Sequence, residues 1–128
     1  MSTPPDGQKQ PLALLLDDNL MSAVRLQRQL QEAGYQVTTA RAVPRPEEAA
    51  PDRCLTDIAQ PQLIIINLGS RSLDGVLLIG ACRERYPAAR IIGVCGHLEI
   101  EIRRAAKAAG IHKILTNEQA FSQLRESL

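Results

Sequence analysis

The sequence has no tryptophan, one phenylalanine and two tyrosines, and a chain so poor in rings has little to stack on a flavin. Charge is in excess on neither side: 15 Lys and Arg face 14 Asp and Glu, a net charge of +1. No global field therefore draws the chain to nucleic acid or to an acidic membrane surface, and neither is expected as a partner. The cysteines, Cys54, Cys82 and Cys95, are odd in number and form no CxxC pair, and two of them sit inside apolar runs. That usage fits reduced thiols in a cytoplasm rather than a disulfide framework. No apolar run approaches the roughly 20 residues that cross a bilayer, and the opening MSTPPDGQKQ is polar, unlike a signal peptide. Residues 1–10 read as a disordered leader and 11–128 as one domain of a cytoplasmic protein. Also missing are a Gly-rich phosphate loop after the first apolar run, where DDNLMS stands, and any triad spacing. No enzyme is expected.

What is present is enough to bury a core: 128 residues, 45% of them apolar. Apolar runs of strand length alternate with segments of helical period, the pattern of a βαβ succession and a parallel sheet. Strands are predicted over 12–17, 36–39, 63–67, 90–95 and 111–115. A helix follows Asn19, a good N-cap, with Ala23, Leu26, Leu30 and Ala33 on one face, and stops at Gly34. A short helix is predicted near 52–59, because Pro44, Pro46 and Pro51 break the stretch before it. Further helices are predicted over 73–86, ending before Pro87, over 98–109, closing on Gly110, and over 118–128.

In an open α/β sheet of this kind, ligands bind outside the carboxyl ends of the strands. Those ends carry Asp17 and Asp18, then Asn67, then Cys95, Gly96 and His97, then Thr116 and Asn117. Two adjacent carboxylates beside a third oxygen ligand suit a hard cation such as Mg²⁺.

The succession LLLDDN, NLGSRSLDG, a small residue after the fourth strand, and AAGIHKILTN resembles the receiver domain of bacterial response regulators, the CheY-like modules of two-component signalling. The resemblance runs from Pro11 nearly to the end of the chain. It implies a flavodoxin-like fold: a five-stranded parallel sheet of order 2-1-3-4-5 with helices on both faces. It also implies a site in which an acidic pair binds Mg²⁺ and an Asp ending the third strand takes a phosphoryl group. A Thr or Ser after the fourth strand and a Lys after the fifth then bond that group.

Position by position, Asp17 and Asp18 match the acidic pair. Asn67 stands at the phosphoacceptor Asp, Cys95 at the Thr or Ser, Asn117 at the Lys, Glu118 at the Pro that follows it, and Ile114 at the aromatic switch position. Arg71 replaces the loop Pro. A neutral amide is a poor nucleophile. Losing the Lys and a carboxylate removes most of the charge arrangement on which phosphoryl transfer depends, and a thiol is a weaker donor than a hydroxyl. Asp17 and Asp18 are therefore expected to be a vestigial site, weak for Mg²⁺, and no other cofactor is expected.

Three functions remain open. The pattern favours a pseudo-receiver, a non-catalytic regulatory module that binds a protein partner, an attached output domain or a second copy of itself. The second is a signalling receiver with unorthodox ligand or phosphorylation chemistry, and the third a flavodoxin-like enzyme or cofactor binder. His97 and His112 lack a partner at ligand spacing and read as solvated loop residues. Arg103, Arg104 and Lys107, with Glu99 and Glu101 nearby, read as a solvated helix face. The segment VLLIGAC, 76–82, carries no charge. Leu78, Ile79 and Cys82 satisfy its inward stripe, which leaves Leu77, Gly80 and Ala81 either as a candidate interface or as a face covered by the loop AVPRPEEAAP folding back on it.

Overall fold

LALLL and LIIIN are uncharged runs, as strands buried on both faces require, and they form β1 (Leu12–Leu16) and β3 (Leu63–Asn67). A computed structural model of the chain describes residues 10–41, 60–70 and 72–128. The expected helix at 52–59, the loop AVPRPEEAAP, Cys54, Arg71 and the first nine residues of the expected leader lie outside the described residues. With β2 (Gln36–Ala40), β4 (Arg90–Cys95) and β5 (Lys113–Thr116), the strands make one parallel sheet of order β2-β1-β3-β4-β5. This is the order expected. β2, at one edge, is largely exposed, and its sequence QVTTA is correspondingly polar.

Four helices are described: α1 (Leu20–Glu32), α2 (Gly75–Arg85), α3 (Ile100–Ala108) and α4 (Asn117–Ser127). The sheet separates two apolar layers. On one face Leu15, Ile65 and Ile92 pack with Leu26 and Leu30 of α1 and Ala120 and Leu124 of α4. On the other, Leu16, Ile66 and Ile91 pack with Ile79 and Cys82 of α2 and Ala106 of α3. Among the described residues no helix is long and apolar enough to cross a membrane.

The ends of the elements depart from expectation for local reasons. Asn19 caps α1 as predicted, its side chain accepting from the Met21 and Ser22 N–H groups. β5 begins two residues late because Gly110 (φ 92°) turns the chain, so the N–H of Ile111 bonds Ala106 O and that of Gly110 bonds Lys107 O. α3 starts at Ile100 rather than Leu98 because His97 and Leu98 form a turn that the Glu99 N–H closes on Gly96 O. α4 starts one residue early, since Thr116 and Gln119 form a capping box. α2 starts at Gly75 because Asp74 is its cap, accepting from the Leu77 N–H.

Two close approaches position the site. Leu68, the residue after β3, folds back so that its N–H bonds Val94 O at 2.8 Å. Its side chain then rests on Gly93 of β4. Across the other layer, α4 leaves helical geometry at Gln123 (φ −133°). There the Gln29 side chain of α1 donates to Phe121 O and accepts from Leu124 N at 3.1 Å.

Candidate functional site

Parallel strands that all end at one edge bring their terminal residues together, and here β1, β3, β4 and β5 deliver Asp17, Asp18, Asn67, Cys95 and Asn117 to that edge. Asp17, only 3% exposed, is the buried charged residue among those described. Such a carboxylate needs donors. It has three: the Asn67 Nδ2–H at 2.9 Å and the Asn19 N–H at 2.9 Å on Oδ1, and the Ser22 hydroxyl on Oδ2. Asp18 Oδ1 accepts from the Ser70 hydroxyl, whose oxygen accepts in turn from the Leu73 N–H at 3.1 Å.

This arrangement does not fit a resident Mg²⁺. A divalent cation needs converging oxygens, whereas Asn67 presents hydrogens to Asp17 and turns its own oxygen to the Gly69 N–H at 3.1 Å. Among the described residues no three His, Cys, Asp or Glu side chains gather as a metal site. The amide does by hydrogen bonding what a cation does by charge: it satisfies Asp17.

The other positions fall as follows. Cys95 is buried at the end of β4. Burial pushes its thiol above the ordinary value, the Glu99 carboxylate pushes it further, and Arg103 opposes both. Ile114, half-buried, packs against the α2–α3 layer. Asn117 is exposed as the first residue of α4. An open cleft of about 450 Å³ runs over the strand ends, bounded by Asn67, Gly69, Gly96, Glu99, Asn117 and Phe121. Arg25 of α1 lies over the Phe121 ring, 5.0 Å from its centroid.

The structure also supplies residues that the sequence reading passed over. Ser22 and Ser70 hold the two carboxylates, and Glu99 accepts from the Gly96 N–H at 2.8 Å. Ser22 sits three residues after the Asn19 cap, a spacing that returns it to the strand end, and that was its available signal. His112 is an exposed loop residue as expected, and its Nδ1 also accepts from the Ile91 N–H at 3.0 Å, which closes the start of β5 onto β4. His97 is exposed as expected. Of the basic run, Arg104 and Lys107 are exposed, while Arg103 is half-buried with its guanidinium 3.5 Å from His97 O. On α2, Leu77 is 70% exposed, Gly80 is exposed with open space where a Cβ would stand, and Ala81 is half-buried.

No protein-family model matches the chain. The photosynthetic apparatus regulatory protein RegA of Rhodobacter capsulatus is 27% identical over 115 residues, which cover 90% of this chain and 59% of RegA. The chain thus spans about three-fifths of that relative's length. Among solved structures, the signal receiver domain of an HD domain-containing protein from Pseudomonas fluorescens Pf-5 superposes with a TM-score of 0.68 at 22% identity, over 100% of this chain and 91% of that one. A response regulator from Thermotoga maritima gives 0.69 at 15% identity, over 93% of this chain and 94% of that one. The chemotaxis response regulator CheY4 of Vibrio cholerae gives 0.65 at 22%, over 94% of this chain and all of that one. With the strand order and the two helical layers, these likenesses establish that the chain has the CheY-like, flavodoxin-type fold.

Proposed function

We propose that the chain is a receiver-like module of two-component-type signalling that regulates by binding, without accepting a phosphoryl group. One observation carries this reading: the residue at the end of β3 is an amide whose N–H is spent on Asp17. A phosphoacceptor carboxylate would attack phosphorus from that position. An amide nitrogen, with its lone pair delocalised, does not. The surroundings agree. Asn117 brings no charge to the end of β5, and Asp17 has donors in place of a cation, so charge building up on transferring oxygens finds no compensation. Cys95 offers a buried thiol where a hydroxyl would bond the group.

The signalling role follows from the fold shared with response regulators and from the likeness to RegA, a regulatory protein by name. The partner is a protein, whether an output domain, a separate protein or a second copy. The α2 face of Leu77, Gly80 and Ala81 is a surface through which it would dock, since an apolar side chain beside small neighbours lets another backbone come close. Incubation with acetyl phosphate and MgCl2 followed by intact-mass measurement tests the reading. No mass gain is expected. A stoichiometric, acid- and base-labile phosphoryl group overturns it.

A further inference from the structure

Two backbone N–H groups face the cleft where β3 and β4 end, and both are taken by side chains of this chain. Gly69 donates to Asn67 Oδ1 at 3.1 Å, and Gly96 donates to Glu99 Oε2 at 2.8 Å. Glu99 is the N-cap residue of α3, yet its side chain makes no bond to that helix. It turns back over the strand ends instead. A Cβ placed on Gly69 would stand 3.2 Å from Oε2 and 3.7 Å from Oε1. One carboxylate thus spans two loops that follow different strands. Among the described residues lining the cleft it is the only acid, with Arg25 the only base.

We propose that Glu99 is a tethered anion: it fills, from within the chain, the place an outside anion would take between Gly69 and Gly96, and it holds the β4–α3 loop in one conformation. The inference rests on the proposed function in taking Asn67 as unmodified. A carboxylate accepting from a backbone N–H makes a charge-assisted bond. Because Glu99 lies only three residues from Gly96, its effective concentration at that amide exceeds that of a dilute free anion. An anion arriving from solution must displace it against like-charge repulsion. A ligand shifts a loop only by preferring one of its states, and the tethered group has made that choice already.

Amide hydrogen exchange and ¹⁵N NMR on the full chain test this. In Glu99→Ala, the Gly96 amide should exchange about tenfold faster, the loss expected for one charge-assisted bond, and the resonances from Gly96 to Ile100 should broaden. Sodium formate should then restore Gly96 protection in Glu99→Ala while leaving the wild-type spectrum unchanged. Glu99→Gln, which keeps an acceptor oxygen, should retain most of the protection and controls for folding. Unchanged Gly96 protection in a folded Glu99→Ala overturns the proposal, and so does formate acting equally on the wild type. Phosphoryl uptake is read separately by mass, so a phosphorylated wild type would reject the proposed function without altering the Gly96 result.

Discussion

Asn67 points an N–H of its side-chain amide at Asp17, Nδ2 to Oδ1 at 2.9 Å, so the carboxylate that follows β1 is satisfied by a hydrogen bond from the end of β3. Asn67→Asp would set two carboxylates at that separation, one of them only 3% exposed. Like charges so placed repel, and a divalent cation is what relieves them. In EDTA the variant is expected to lose about 1–3 kcal/mol of stability and to regain much of it in MgCl2, whereas the wild type melts alike in both. Identical melting of the variant in the two buffers would reject this account. Full phosphotransfer by this single variant would show that the charge missing at Asn117 is not needed.

Stability should fall in strongly alkaline solution, above about pH 9, through Cys82. Burial pushes this thiol up to about 11 from the 9.0 of an exposed thiol. The unfolded thiol therefore ionises first. Below the lower value both states keep the proton and nothing is lost; between the two values the unfolded state alone sheds it, and stability declines as pH rises. The decline is on the order of 3 kcal/mol. Urea titrations across this range should show a steeper slope for the wild type than for Cys82→Ala, and parallel slopes would contradict the assignment.

Gly93 is fixed by its neighbour. A Cβ there would lie 2.5 Å from Leu68 Cδ1 and 2.7 Å from Ile111 Cδ1. Gly93→Ala should cost about 1–3 kcal/mol by overpacking. Combined with Leu68→Ala, the two changes should cost less than their sum, because the second removes the closer of the two clashes and leaves only that with Ile111. Additive urea midpoints would show that the strain lies elsewhere.

Leu77→Glu tests the α2 face. The side chain is 70% exposed, so the change should move folding stability by less than about 0.5 kcal/mol while weakening self-association or partner capture. Sedimentation and pull-down unchanged in a folded variant would remove α2 from the interface.

Much of the fold was legible because each signal was local. Asn19 reads as a cap, Gly34 and Gly110 as helix ends, and Leu63 to Ile66 as an uncharged strand, and each of these depends on near neighbours alone. The start of β5 was misplaced because Ile111 looks like strand but spends its N–H on Ala106 O, a bond dictated by the turn at Gly110. At the site, strand-end positions identified Asp17, Asp18, Asn67, Cys95 and Asn117. What they bond could not be read off, since the Asn67–Asp17 and Ser70–Asp18 pairs join residues 50 and 52 apart. Glu99 was read as part of a charged helix face, because nothing in its neighbours says that its side chain turns backward.

The bend at Gln123 has a consequence for the order of assembly. A regular helix closes its ladder from within and forms in microseconds or less. α4 instead takes a donor and an acceptor from Gln29, across sequence separations of 92 and 95 residues. Its second half is therefore incomplete until α1 and the sheet are in place beside it, and closing so long a loop precedes any return from the contact. The second half of α4 is therefore expected to join late on the folding route, so substitutions at Gln29 should act on the unfolding rate rather than on the folding rate, and a Gln29 variant that slows folding would overturn this order.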